Sequence, residues 1–195
     1  MEATRSEITA FIAEAVRGLY PEREARRIAL TAAAALSGES EAKFLADPNQ
    51  RVNIDGVERC AAQLAAGCPV QYVTGRTEFC DMTFHVDGSV LIPRPETEEL
   101  VLWAEQCAAG YRNPRILDVC TGSGCIAIVL AAHLPQAKVT ALDISHAAIE
   151  TAQRNASMNG VRIRFIEDDA LNGVPSLAGE TFDIIVSNPP YIPHS

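Results

Sequence analysis

The fold of this chain is decided by residues 115–127, RILDVCTGSGCIA. The apolar run that opens this stretch predicts a buried strand, and the small residues behind it predict a tight turn. Gly122 and Gly124 permit a positive φ, and an apolar helical pattern begins directly after them. A strand, a glycine-rich turn and a helix in this order predict a βα unit whose turn offers backbone N–H groups to a ligand.

The alternation of strand and helix continues on the carboxyl side. Strands are predicted at Lys138–Leu142, Arg162–Ile166 and Thr181–Ser187, with a helix at Gly124–Leu134 and another reaching Asn159. This alternation predicts right-handed βαβ units and one parallel sheet, that is, an α/β fold. In a doubly wound sheet the first four strands lie in the order 3-2-1-4, so the fourth strand is expected beside the first.

A different organisation is predicted ahead of the sheet. Residues 1–67 show helical periodicity and carry no catalytic motif, so we expect a small helical bundle that recognises a substrate. Residues 68–95 are predicted to be a linker, extended at first and then folded into a β-hairpin over Thr77–Val86. Residues 96–195 form the predicted α/β domain.

Composition excludes several classes of protein. The chain has 195 residues, 48% of them hydrophobic and 21% charged, which excludes intrinsic disorder. Its 16 basic and 25 acidic residues give a net charge of −9, so its overall field repels nucleic-acid phosphates and no direct nucleic-acid binding is expected. The sequence has no apolar run long enough to span a membrane, and no membrane association is expected.

The cysteines indicate a reducing compartment. The six cysteines include no Cys-x-x-Cys pair, and the first residues form an amphipathic pattern unlike a signal peptide. We therefore expect reduced thiols, no metal site and a cytoplasmic location.

The glycine turn has the chemistry of a nucleoside site. Asp143 ends the next predicted strand, about 20 residues on, where an acid can accept the hydroxyl groups of a ribose. Residues 122–127 also match the G-x-G-x-x-[GA] pattern of dinucleotide enzymes. Asp118, however, is expected to point a carboxylate into the same crevice, which disfavours a pyrophosphate and favours a cationic sulfonium. S-adenosylmethionine is therefore the expected cofactor, ahead of NAD.

A second motif, Asn188-Pro189-Pro190-Tyr191, follows the last predicted strand and is expected to face the glycine turn. The side-chain oxygen of Asn188 and the carbonyl of Pro189 can accept the two N–H bonds of a planar nitrogen, which frees its lone pair for attack. Pro190 stiffens the loop, and Tyr191 offers a flat face for stacking. These residues predict methylation of an amide or aromatic-amine nitrogen, by positioning and hydrogen bonding.

Several segments along the whole chain resemble the peptide chain release factor glutamine N5-methyltransferase family. They are QYVTG (71–75), EF (78–79), LIPRPETE (91–98), DVCTGSGCIA (118–127) and VSNPPYI (186–192). The Asn-Pro-Pro-Tyr motif is shared with DNA adenine methyltransferases, whereas the segment at 93–98 is much more specific to the family.

The resemblance implies a Rossmann-like class I methyltransferase domain that methylates the glutamine in the Gly-Gly-Gln loop of class I peptide chain release factors. It places the substrate glutamine on Asn188, Pro189, Pro190 and Tyr191, with Asn188, Pro189 and Tyr191 catalytic. It places the cofactor contacts on Cys120, Thr121, Gly122, Ser123, Gly124, Asp143, Asp169, Ala170 and Asn188.

The sequence departs from this family in two ways. Cys120 occupies a position where the family usually has a glycine, which is tolerated unless φ is positive there. The fold normally has seven strands, and this chain supplies four, so we expect a domain truncated after its fourth strand.

Three alternatives stay open at this point. A DNA or RNA adenine methyltransferase would use the same Asn-Pro-Pro-Tyr chemistry, although the net charge of −9 counts against it. A chain without the remaining strands would be an inactive cofactor-binding fragment. An NAD-binding domain would use the same glycine turn, and Asp118 and Asn188 count against it.

Overall fold

The computed structural model describes residues 2–189 and divides the chain into two compact units, residues 1–75 and 76–195. No helix among the described residues is long and apolar enough to cross a membrane. The two units are described separately below.

The first unit consists of helices and one short strand pair. Within the described residues its elements are β1 (Glu2–Thr4), α1 (Arg5–Ala15), α2 (Glu22–Ser37), α3 (Glu41–Ala46), β2 (Arg51–Asn53), α4 (Val57–Ala65) and α5 (Val70–Thr74). Thr4 and Glu7 form a capping box that starts α1, and Gly38 ends α2 with a left-handed φ of 71°. The prediction of an all-helical bundle is wrong for β1 and β2, which pair antiparallel. Strands of three residues are too short to show a sequence period.

Helix α5 corrects a second prediction. The start of the predicted linker, residues 68–75, was expected to be extended, and its Val70 and Val73 are β-branched residues that favour strands. Instead Pro69 precedes a helical turn that Gly75 ends with a φ of 69°, and both valines pack against the apolar core of this unit. Tertiary packing therefore overrides the local preference for strand.

A buried arginine holds the start of α1 to the end of α2 and to α3. The Arg5 guanidinium lies 2.6 Å from a Glu39 carboxylate oxygen and also donates to the Lys43 carbonyl at 3.1 Å. It lies over the Phe44 ring, 5.1 Å from the ring centroid. Because this charge is almost fully removed from water, these partners are needed to offset the free-energy cost of burying it.

The second unit carries a hairpin, a helix and a parallel sheet with its helices. Within the described residues its elements are β3 (Arg76–Phe79), β4 (Met82–His85), α6 (Glu96–Ala108), β5 (Arg115–Val119), α7 (Cys125–His133), β6 (Lys138–Asp143), α8 (His146–Met158), β7 (Arg164–Glu167), two 3₁₀ turns (Ala170–Asn172 and Pro175–Leu177) and β8 (Ile184–Ser187). The predicted hairpin is confirmed, as β3 and β4 pair antiparallel.

The sheet has the predicted topology. Its described strands lie in the order β7-β6-β5-β8, and every neighbouring pair is parallel. This is the 3-2-1-4 order expected from the sequence, and it makes the carboxyl ends of all four strands meet at one edge. The class I methyltransferase fold predicted for this domain is therefore confirmed in its first four strands.

The core of the second unit lies around α7. From Cys125 to Leu130 every residue of this helix is buried, as a helix covered on several sides requires. Phe79 and Phe84 of the hairpin pack edge to face in the same core. In strand β8 Val186 is buried in this core, whereas Ile185 is 66% exposed among the described residues.

We expect Glu39→Ala to destabilise the first unit by roughly 2–3 kcal/mol, because it leaves the buried Arg5 charge without its carboxylate. Glu14→Ala removes the partner of Arg17 in an exposed pair and should change stability by less than about 0.5 kcal/mol. Hydrogen exchange of the α1 and α2 amides measures both effects. Equal effects of the two substitutions would contradict the role of Arg5.

Candidate functional site

The carboxyl edge of the sheet gathers residues that are far apart in sequence. The glycine loop, residues 120–124, follows β5, and Asp143 ends β6, while Asp169 follows β7 and Asn188 follows β8. Strands β5 and β8 are neighbours in register, with Val119 opposite Ser187. The Ser187 hydroxyl also donates to the Val119 carbonyl at 2.8 Å. The glycine loop and Asn188 therefore leave the sheet side by side.

Asp143 fastens the glycine loop to the end of β6. One of its carboxylate oxygens accepts the Gly122 N–H at 2.9 Å, and the other accepts the Ser145 N–H at 2.9 Å. A carboxylate offers about four lone-pair sites, so each oxygen keeps capacity for another donor. Asp143 thus shapes the loop and can still accept the hydroxyl groups of a ligand.

Asp118 does not occupy the position expected from the sequence. Its side chain is fully buried, and the Thr121 hydroxyl donates to it at 2.6 Å. Burial raises the pKa of Asp118 to about 7, and the bond from Thr121 opposes this shift only in part. The expectation of a carboxylate pointing into the crevice is wrong, because Asp118 supports the loop from beneath. The position of Asp118 therefore gives no support to the preference for a sulfonium over a pyrophosphate.

Cys120 and the two glycines hold the loop in left-handed backbone conformations. Their φ values are 60° at Cys120, 55° at Gly122 and 79° at Gly124. A Cβ at Gly124 would lie 3.0 Å from the Ala152 Cβ, so this glycine permits close packing of α7 on α8. A Cβ at Gly122 would meet no atom within 4 Å, so the space in front of this residue is open to a ligand.

Asn155 is a supporting residue that sequence reasoning missed. It is completely buried in α8, and its Nδ2 donates to the Ser123 carbonyl and to the His85 carbonyl, each at 2.9 Å. Its Oδ1 accepts the His85 N–H at 2.6 Å. The sequence contained a signal, because Asn155 lies on the apolar stripe of α8, where a polar side chain requires partners.

Asn188 lies beside a second residue that sequence reasoning missed, Thr97. The Asn188 Nδ2 donates to the Thr97 Oγ1 at 3.0 Å. Both residues line a cavity of about 540 Å³, whose other walls belong to the segment with the PRPET sequence and to its flanks. The cavity lining comprises Leu91, Arg94, Pro95, Glu96, Thr97, Leu100 and Asn188.

The remaining predicted residues are placed as follows. Asp169 caps the 3₁₀ turn that starts at Ala170, and its oxygens accept the Leu171 N–H and the Asn172 side-chain N–H. Pro189 is exposed directly after Asn188. Pro190 and Tyr191 lie outside the described residues.

Comparisons with known proteins agree with this geometry. Residues 102–195 match the family described as "Methyltransferase small domain". The chain is 49% identical over 138 residues to the release factor glutamine methyltransferase of Flavobacterium psychrophilum, covering 69% of this chain and 48% of that protein. It is 36% identical over 195 residues to the protein of the same name from Bacteroides thetaiotaomicron, covering 95% of this chain and 66% of that protein.

Among solved structures, an S-adenosylmethionine-dependent methyltransferase from Agrobacterium tumefaciens is similar with a TM-score of 0.48 at 25% identity, covering 58% of this chain and 39% of that one. The first curated relatives are matched over about half of their own length.

The fold and the arrangement of loops define the second unit as a class I methyltransferase domain. By sequence, the chain belongs to the release factor glutamine methyltransferase family.

We expect Cys120→Gly to stabilise the second unit by about 0.5–1 kcal/mol. Relief of a left-handed conformation gains about 1–2 kcal/mol, and the greater freedom of the unfolded glycine returns part of it. Cys107→Gly, on an exposed position within α6, should be destabilising instead. Hydrogen exchange of the β5 amides shows whether the substitution stabilises or destabilises the unit. A destabilised Cys120→Gly variant would refute strain at this position.

The stability of the second unit should depend on the protonation of Asp118. Its pKa is raised on folding, so its contribution is fully present below about pH 4 and is lost as the pH rises through 7. Asp118→Asn keeps an acceptor for Thr121 and cannot ionise. The free energy of unfolding of this variant relative to the parent should therefore rise between pH 4 and pH 7. A difference that is constant over this range would contradict the assignment.

Proposed function

We propose that this chain binds S-adenosylmethionine and transfers a methyl group to the side-chain amide nitrogen of a glutamine. The observation that carries the proposal is the position of Asn188, at the end of β8 and next to the glycine loop at the end of β5. Its Nδ2 is engaged by Thr97, and its Oδ1 has no hydrogen-bond partner among residues 2–189. An acceptor that no residue of 2–189 engages therefore lies beside the glycine loop.

The residues of the loop suit this cofactor. S-adenosylmethionine, when bound, supplies an electrophilic methyl group on a sulfonium. The open space in front of Gly122 lets a ligand approach the backbone, and Asp143 has lone pairs left for ribose hydroxyls. Asp169 and Ala170, after β7, are further proposed contacts of the cofactor.

Asn188 and Pro189 provide the catalytic contacts in this proposal. An amide nitrogen is a poor nucleophile, because its lone pair is delocalised into the carbonyl group. If its two N–H bonds are accepted by the Asn188 Oδ1 and the Pro189 carbonyl, the nitrogen is held in a geometry that frees the lone pair. Acceptors already in place contribute without reorganising as the methyl group moves. Tyr191 and Pro190 complete the proposed substrate contact.

The proposed substrate is the glutamine of the Gly-Gly-Gln motif in class I peptide chain release factors. The names of the relatives from Flavobacterium psychrophilum and Chlorobaculum tepidum, the latter 53% identical over 137 residues, support a glutamine of a release factor as the substrate. The net charge of −9 disfavours nucleic acid as the substrate. We assign the first helical unit to recognition of the factor, and the reaction to the cytoplasm.

The proposal is tested by mass spectrometry of a release factor incubated with this chain and S-adenosylmethionine. We expect one methyl group on the glutamine of the Gly-Gly-Gln motif. Asn188→Ala should lower the single-turnover rate by roughly 10²- to 10³-fold, the usual effect of removing one preorganised partner. Asn113→Ala, in an exposed loop before β5 at the opposite edge of the sheet, is the matched control and should leave the rate unchanged.

Three results would count against the proposal. Methylated adenine in a nucleic acid offered in parallel, with an unmodified release factor, would support the adenine methyltransferase alternative. Binding of the cofactor without transfer to either substrate would identify a cofactor-binding fragment. A rate of Asn188→Ala within threefold of the parent would mean that Asn188 only shapes its loop.

A further inference from the structure

We infer that Thr97 is a positioning residue of the transfer reaction: its hydroxyl oxygen accepts the Asn188 Nδ2–H and so lets the Asn188 Oδ1 serve the substrate nitrogen. This inference rests on the proposed function. It concerns a residue on α6, far in sequence from the loop that it supports.

The geometry of the contact comes from two packed elements. Thr97 lies in the first turn of α6, and its backbone N–H donates to the Arg94 carbonyl at 2.9 Å. Its side chain is buried, with the residue only 7% exposed, so the position of its Oγ1 is set by packing. Asn188 lies directly after β8, a strand that α6 contacts. The 3.0 Å bond therefore joins the first turn of α6 to the end of β8.

The chemistry of a side-chain amide explains why this bond is needed. Asn188 has an acceptor and a donor group of nearly equal shape, on opposite branches of one plane. When the acceptor faces a substrate N–H, the donor points in a different direction and needs an acceptor of its own. In this structure the donor then meets Thr97, whose oxygen satisfies it. Without that oxygen, the reactive orientation would leave the donor N–H of a half-buried side chain without a protein partner.

The surrounding cavity gives the contact a functional setting. Thr97 and Asn188 lie in the wall of the same cavity of about 540 Å³, together with Arg94 and Pro95. The bond thus lies at the boundary of a space large enough for a side chain of a substrate. A contact that served only to pack α6 on the sheet would not need to border such a space.

The variants Thr97→Val and Thr97→Ser distinguish the effect of the acceptor oxygen from the effect of side-chain shape. Valine keeps the volume and removes the oxygen, so we expect kcat for a Gly-Gly-Gln peptide to fall about tenfold or more, with the Kd of the cofactor unchanged. Serine keeps the oxygen, and its kcat should stay within threefold of the parent. Thr151→Val, at a buried threonine of α8 away from Asn188, should leave kcat unchanged.

A double substitution shows whether Thr97 acts through Asn188. In the Asn188→Ala background, Thr97→Val should cause no further loss, because the group that it positions is absent. An equal additional loss in that background would overturn the inference. So would equal rates of the valine variant and the parent, or a loss in Thr97→Ser as large as in Thr97→Val.

Failure of the proposed function would be recognised separately. If the parent chain transfers no methyl group, the proposed function fails for this chain, and the contact is decided by NMR of the Asn188 side-chain NH₂ group. We expect slower proton exchange of this group in the parent and in Thr97→Ser than in Thr97→Val. Equal exchange in all three would overturn the inference whatever the activity.

Discussion

The site depends on the parallel pairing of β5 with β8. This pairing runs from Ile116 opposite Ile184 to Val119 opposite Ser187, and it fixes where two distant segments leave the sheet. The glycine loop begins at the next residue of one strand, and Asn188 is the next residue of the other. Because parallel strands end at the same edge, the strand pairing itself brings the two motifs together.

Around this pairing, buried and half-buried polar groups hold the glycine loop in one shape. Asp118 and Thr121 support it from beneath, Asp143 holds Gly122, and Asn155 holds the carbonyl of Ser123. These hydrogen bonds tie the loop to the residues beneath and beside it, so a change of loop shape would leave polar groups unsatisfied. A rigid loop of this kind is what catalysis by positioning requires, since its groups do not reorganise during transfer.

The strand order and the carboxyl-edge location of the candidate site were predictable from sequence, because alternating strands and helices allow few topologies. Other features depend on tertiary contacts that no local pattern contains. Val70 and Val73 favoured a strand but pack as a helix on the first unit, and Ile185 lies exposed in an apolar run. Asp118 was expected to face a ligand. Its burial could not be read from the sequence, because it depends on how the loop folds over this residue. The bond between Thr97 and Asn188 joins residues from elements far apart along the chain.

If the ends of β5, β6 and β8 form one site for a nucleoside cofactor and its acceptor, S-adenosylhomocysteine should bind there. Titration of the chain with S-adenosylhomocysteine, followed in its backbone amide spectrum, tests this. We expect shift changes concentrated at Thr121–Gly124, at Ser145 and at Asn188, with the amino edge of the sheet around Asn113 unaffected. Changes confined to the first unit or to the amino edge, or no saturable change at all, would contradict it.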